Sequence, residues 1–250
     1  MMDAPSAARS ADPERAAELV TALARVRAAI ADSAAAAGRD AAEITLIAVT
    51  KGFGVQDLEL LLGLGVSDIG ESRDQEARGK LPTDLADRAV RVHFIGQLQT
   101  NKCRSVARYA DAVHSVDRPE LASALSDAAQ RAEREIDVFL QVNLDRYGDS
   151  AASPTRGGVV EGVLNALAAD VAQRPQLRLR GVMAVAPNGA DADRAFAELA
   201  RISADLQREH PAATAISAGM SGDFPAAIRH GATHVRVGSA LLGHRTTGFG

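Results

Sequence analysis

A lysine closes an apolar, β-branched stretch, Thr45-Leu-Ile-Ala-Val-Thr-Lys51, and Gly52-Phe-Gly54 follows at once. The stretch does not alternate polar with apolar residues, so it reads as a strand buried on both faces, as in a parallel sheet. The carboxyl end of such a strand is where α/β folds gather their functional groups. Partial burial there disfavours the ammonium form and makes a lysine a nucleophile able to condense with an aldehyde. The plainer reading is a strand-terminal lysine whose head reaches water. Late in the chain, Ser217-Ala-Gly-Met-Ser221 leads into a helix, and Gly238-Ser239 does so again. Backbone N–H groups and helix starts of this kind suit an anion, phosphate above all. Between the two turns stands Arg236, a cation that does not give up its proton.

The elements that must position these residues follow a steady rhythm. Asp12-Pro13 caps a long amphipathic helix carrying Leu19, Leu23, Val26 and Ile30, closed by Gly38. Strands are then predicted at 44–50, 66–69, 90–95, 112–116, 136–143, 177–185, 213–217 and 234–237. Helical stretches are predicted at 55–64, 73–80, 102–110, 119–134, 158–173, 191–209 and 224–230, with a short one after Gly238. Eight β/α units in one chain of 250 residues, with no break in composition, predict a single-domain closed (β/α)8 TIM barrel with an extra N-terminal helix. The barrel is expected over 12–250 and a disordered tail over 1–11. No G-x-G-x-x-G follows the first strand, which weakens a Rossmann alternative.

In a barrel the carboxyl ends of the strands share one mouth. That mouth would collect Lys51, Glu71 and Ser72, Gly96 and Gln97, Asp117, Asn143, Pro187, the Ser217 to Ser221 turn, and Arg236 to Ser239. Barrels often hold phosphate at the loops after strands seven and eight. An aldehyde-reactive lysine and a phosphate cradle on one face suggest pyridoxal 5'-phosphate (PLP). Arg236 could then donate to the pyridine nitrogen, keep it unprotonated and leave the cofactor a weak electron sink, whereas PLP enzymes that stabilise carbanions usually place a carboxylate there. Otherwise Arg236 pairs with an Asp or Glu at the mouth.

Several stretches resemble the alanine-racemase-like, single-domain proteins of PLP homeostasis (the YggS/PROSC family). They are Ala48-Val-Thr-Lys51, Gly70-Glu71, His93-Phe-Ile-Gly-Gln-Leu-Gln-Thr-Asn-Lys102, His114-Ser-Val-Asp-Arg118, Arg180-Gly-Val-Met183, Ser217-Ala-Gly-Met-Ser-Gly-Asp223 and Val235-Arg-Val-Gly-Ser239. The resemblance implies that Lys51 carries PLP as a Schiff base. It implies that Ser217, Ser221, Gly238 and Ser239 correspond to the phosphate-binding turns, with Met220 also among the cofactor-binding residues, and that Arg236 meets the pyridine nitrogen. Ser72 stands where the family usually has asparagine near the ring, and Ser239 where threonine is common. The implied role is intracellular PLP buffering or delivery to apo PLP-dependent enzymes, with little or no turnover. The alternative is an amino-acid racemase, which needs a second acid/base such as the tyrosine that racemases bring from a further domain of the partner subunit. This chain offers only Tyr109, on a predicted helix, and Tyr147, in the polar Asp145 to Pro154 loop that is expected to be mobile.

A net charge of −4 with dispersed arginines points to neither nucleic acid nor a membrane surface as partner. One cysteine excludes an internal disulfide, and the start lacks a signal-peptide pattern, so a cytoplasmic protein is expected. A monomer is expected as well. His93 and His114 lie on neighbouring strands, as a metal pair or, more simply, as histidines lining the core; no metal is assigned. Lys102 and Arg104 flank Cys103, whose pKa local positive charge could lower.

Overall fold

The computed structural model describes residues 12–145, 157–187, 189 and 191–243. The 1–11 segment and residues 146–156, with most of the polar loop and Tyr147, lie outside the described residues. Eight parallel strands close into a barrel in sequential order: β1 (Thr45–Val49), β2 (Asp68–Glu71), β3 (Arg91–Phe94), β4 (Ala112–Val116), β5 (Ile136–Gln141), β6 (Leu177–Met183), β7 (Ala215–Ser217) and β8 (His234–Val237). Closure is made by β1 against β8, with Ile47 opposite Arg236 and Ala48 opposite Val237. Around the barrel lie α1 (Pro13–Ala36), α2 (Val55–Gly63), α3 (Asp74–Lys80), α4 (Cys103–Val106), α5 (Pro119–Arg131), α6 (Glu161–Ala172), α7 (Ala192–Glu209), α8 (Phe224–Arg229) and α9 (Ser239–Leu242).

Local chemistry explains the element starts. The Asp12 carboxylate accepts from the Glu14 N–H at 3.1 Å while Pro13 fills the first helical position. Asp191 accepts from the Asp193 N–H at 3.0 Å and opens α7 in the same way. The extra helix α1 turns Leu19, Leu23, Val26 and Ile30 inward, where they join Leu58, Leu61, Val235 and Val237 in one apolar cluster. It thereby covers α8 and α9, the helices that follow the last two strands. No helix among the described residues is long and apolar enough to cross a membrane.

Two elements differ from expectation for visible reasons. The helix predicted from Gly158 starts only at Glu161, because Val159 first bridges Val142, donating to Gln141 O at 2.8 Å and accepting from Asn143 N–H at 3.0 Å. The helix predicted over 102–110 shrinks to one 3-10 turn (Thr100–Lys102) and α4. Its last residues curl away so that the Asp111 carboxylate can accept from the Val92 N–H of β3 at 2.7 Å.

The barrel interior is unusual in its polarity. Branched aliphatic layers commonly fill such barrels. Here His93, His114, Ser217 and Arg236 are buried inside, with Phe139 stacked on His114 at 4.2 Å between ring centroids and an interplanar angle of 15°.

Candidate functional site

A cavity of about 420 Å³ opens at the carboxyl ends of the strands. Its lining includes Lys51, Met220, Ser221, Arg236, Gly238 and Ser239, six of the expected residues, together with Val49 and Ile95 as apolar walls. The lining holds two cations and, among the described residues, no carboxylate.

Lys51 stands exposed on the rim rather than partly buried as expected. Its loop, by contrast, is held firmly from below. The Lys80 ammonium, buried under the loop, donates to Thr50 O at 2.6 Å and to Phe53 O at 3.2 Å, on either side of Lys51. Glu76 accepts from the Gly52 N–H and lies 3.2 Å from Lys80. Glu71, expected at the mouth, is fully buried beneath it, paired with Lys80 at 2.8 Å and accepting from the Thr50 hydroxyl. Burial pushes the Glu71 carboxyl up against the pull of Lys80 and Thr50. A buried ion pair adds little net stability but fixes geometry. What it fixes here is the backbone that carries Lys51.

The two late turns are tied into one surface. Gly219 has φ +88°, and a Cβ on it would lie 2.7 Å from both Phe224 Cα and Ala227 Cβ, so only glycine fits. Its carbonyl accepts from the Arg236 N–H at 2.9 Å, locking the turn after β7 onto β8. Asp223 accepts from the Met220 N–H at 2.6 Å, and Ser221 Oγ accepts from the Ala240 N–H at 3.1 Å. Ser221 thus bridges the turn after β7 to the first turn of α9 and keeps its own hydroxyl proton to donate.

Arg236 forms the floor. Its side chain is buried, donating from Nη1 to Ser217 Oγ at 2.7 Å and from Nη2 to Ala184 O at 2.8 Å. Both partners are neutral, and among the described residues Arg236 makes no ion pair, so the carboxylate pairing considered from sequence is not found. Burial lowers its pKa to about 10, still well above neutrality. The Asp223 carboxylate pulls the other way through space, without a direct ion pair. A buried cation hydrogen-bonded only to neutral groups draws an acceptor or anion to its remaining N–H groups.

Ser217 does not reach the cavity. It is fully buried below it, between Arg236 and His114, so its position supports the floor rather than the anion turn. Ser72 is also outside the cavity lining and faces a neighbouring groove with Glu76, Gln97 and Lys102. Its carbonyl is crowded by Gly96, where a Cβ would approach to 2.1 Å. The strand ends of β2 and β3 can therefore meet only with glycine at 96.

Other expectations are corrected or placed. Cys103 is buried, which pushes its thiol up to about 11 in spite of Arg118 nearby, so the expected lowering by local charge does not occur. His93 and His114 lie inside the barrel, hydrogen-bonded to each other at 2.9 Å. Tyr109 lies in a turn, 3.5 Å from Asp74, and its hydroxyl is pushed far above its usual pKa by burial and that carboxylate. It does not line the cavity.

Sequence reasoning missed the Lys80 clamp, although an acidic Glu76 four residues before Lys80 on one helix face was a usable signal. The Ile95 wall carried no signal of its own.

Comparison with known proteins shows the family to which this barrel belongs. Residues 22–246 match the model of the alanine racemase N-terminal domain family. The pyridoxal phosphate homeostasis protein of Mycobacterium leprae is 39% identical over 248 residues, covering 92% of this chain and 94% of that protein. The protein of the same name from Escherichia coli K12 is 35% identical over 228 residues, covering 89% and 95%. The crystal structure of PipY from Synechococcus elongatus PCC7942 with PLP bound superposes with a TM-score of 0.76 at 32% identity, covering 90% of this chain and all of that one. Lysine on the rim, arginine as the floor and glycine-serine turns between them therefore sit in a barrel that belongs to the pyridoxal phosphate homeostasis protein family.

Proposed function

We propose that this chain binds pyridoxal 5'-phosphate in the mouth cavity, attached as a Schiff base to Lys51, and serves PLP homeostasis by holding and delivering the cofactor with little or no turnover. The observation that carries the reading is Arg236, a buried cation with neutral partners in the wall that Lys51 also lines. The donor set fits a phosphorylated aldehyde: an amine at the rim, hydroxyls and backbone at Ser221, Gly238 and Ser239 for the phosphate, and, among the described residues, no carboxylate in the lining itself, with Asp223 held away by the Met220 N–H. Bound PLP supplies an electrophilic aldehyde and an aromatic ring able to delocalise charge.

In this reading Lys51 provides the covalent tether, and Lys80 and Glu76 keep its loop in place. Ser221, Gly238 and Ser239 orient the phosphate, and Met220 shields it. Arg236 donates to the ring nitrogen and, because an arginine keeps its proton, leaves that nitrogen unprotonated. Val49 and Ile95 exclude water from the ring faces. Among the described residues no tyrosine lines the cavity to act as an opposing acid/base, so no observation favours the racemase reading. Ser72 lies outside the cavity lining, and its contact with the ring is not part of the proposal.

Delivery is tested by mixing the PLP-loaded protein, freed of excess cofactor, with an apo PLP-dependent enzyme and following recovery of that enzyme's activity. The reading expects recovery, and expects Lys51→Ala to retain PLP only non-covalently. No recovery over hours, with PLP still on the donor, would remove delivery from the proposal. Acceptor enzymes in the cell, a monomeric state and a cytoplasmic location belong to the same proposal.

A further inference from the structure

Four hydrogen bonds run end to end through the barrel interior. Arg236 Nη1 donates to Ser217 Oγ at 2.7 Å. Ser217 Oγ lies 2.9 Å from His114 Nδ1. His114 Nε2 lies 2.9 Å from His93 Nδ1. His93 Nε2 lies 2.9 Å from Asp68 Oδ1. Five residues from five different strands, β8, β7, β4, β3 and β2, thus form one chain from the cavity floor to the opposite end of the barrel.

The two ends fix its direction. Guanidinium can only donate, and an ionised carboxylate can only accept. Burial alone would raise the Asp68 carboxyl, but hydrogen bonds from His93 and Ser67 outweigh it and hold it below the ordinary range, so it is ionised at neutral pH. A neutral His93 must therefore place its proton on Nε2 and accept at Nδ1. His114 must then donate from Nε2 and accept at Nδ1. Ser217 in turn must donate its hydroxyl proton to His114, leaving its lone pairs for Arg236. Every donor finds an acceptor, and no buried polar atom of the four inner bonds is left over. His114 cannot take a second proton without placing a charge in a dry interior beside Arg236 and His93. The opposite direction, with protons on His114 Nδ1 and His93 Nδ1, leaves the Ser217 hydroxyl with nowhere to donate and sets a bare His93 nitrogen against the Asp68 carboxylate.

We propose that Asp68, His93, His114 and Ser217 are positioning residues for Arg236: a one-directional relay that fixes both histidine tautomers and aims the guanidinium into the cavity. The relay itself is independent of any ligand. Only its consequence, a fixed donor at the cofactor ring, rests on the reading given under Proposed function.

The test uses the whole protein without added PLP, labelled with 15N at histidine and arginine, at pH 7.5. Two-bond 1H–15N spectra report which ring nitrogen carries the proton, with signals assigned by single His→Gln variants. The expected result is the Nε2–H tautomer for both His93 and His114, with distinct, slowly exchanging Nη signals for Arg236. Ser217→Ala should average the Arg236 Nη signals and shift the His114 Nδ1 resonance, while Ser217→Thr, which keeps the hydroxyl, should restore both. A proton on His114 Nδ1 in the wild type, a doubly protonated His93, or an Arg236 signal indifferent to Ser217→Ala would each overturn the relay. The wild-type tautomers decide the matter even if Ser217→Ala fails to fold. Because no PLP is present, failure of the cofactor reading would leave this result standing, and failure of the relay would leave PLP binding to be judged separately.

Discussion

His234 lies half-buried at the start of β8, its Nδ1 2.8 Å from Thr233 Oγ1 and its ring 6.2 Å from that of His93. Burial, with the neighbouring His93 adding to it, lowers its pKa to about 4. A histidine whose folded pKa lies below its unfolded value of about 6.5 binds fewer protons folded than unfolded between those limits. Stability therefore rises with pH across that window. It is fully present above about pH 6.5 and is lost as the pH falls towards 4. One proton contributes about 1.4 kcal/mol per pH unit, so the window bounds the His234 contribution at about 3.5 kcal/mol, reduced by whatever water screens at a half-buried ring. His114 acts in the same direction, and Glu71, whose pKa is raised by burial, acts in the opposite one. The contribution is isolated by comparison with His234→Gln, which keeps a polar group near Thr233 but cannot titrate. Urea unfolding of both proteins at half-unit steps from pH 8 to 4.5 gives the difference directly. The gap between them should be flat above pH 7 and then shift in favour of the variant as the pH falls. A gap independent of pH, or a variant that loses more stability to acid than the wild type, would refute the reasoning.

Further outcomes follow from the site. Lys80→Met leaves the Glu71 carboxylate buried without its cation and should destabilise the protein by about 3–5 kcal/mol, measured as a lower urea midpoint, with Glu71→Gln added to Lys80→Met recovering a large part. Gly219→Ala forces a Cβ against Phe224 and strains a positive φ, so a loss of about 1–3 kcal/mol is expected together with weaker PLP retention in an equilibrium dialysis assay. Cys103, buried and with its thiol raised to about 11, should resist an aromatic disulfide reagent at pH 8 in the native protein and react only after denaturant is added.

The barrel was legible because each strand is a short apolar run followed by a turn and a helical repeat, and Asp12-Pro13 marks the first helix chemically. Lys51, the Ser217 to Ser221 turn and Arg236 to Ser239 were legible because strand ends in a barrel must converge, so position along a strand stands in for position in space. What sequence could not supply was direction across the barrel. Ser217 and Ser221 are both small hydroxyl residues of one turn. Yet Ser217 is the last residue of β7 and points inward to Arg236, whereas Ser221, past the Gly219 bend, faces the cavity. Ser72 was placed with the ring because it stands where the family has asparagine, but it lines the next groove, its carbonyl packed against Gly96. The relay and the Lys80 clamp join residues from distant segments, and pairings of that kind have no local pattern. The helix boundaries missed at 102–110 and 158–160 reflect side-chain and backbone bonds to neighbouring strands that outweigh helical propensity.

The central claim is that Lys51 tethers PLP in the cavity floored by Arg236. The most direct measurement is the absorbance spectrum of the purified protein after addition of PLP, before and after borohydride reduction, followed by peptide mass mapping. The account predicts a visible band that reduction abolishes and a pyridoxyl adduct on Lys51. A protein that takes up no PLP, or one that carries the adduct on another lysine with Lys51 unmodified, would contradict it.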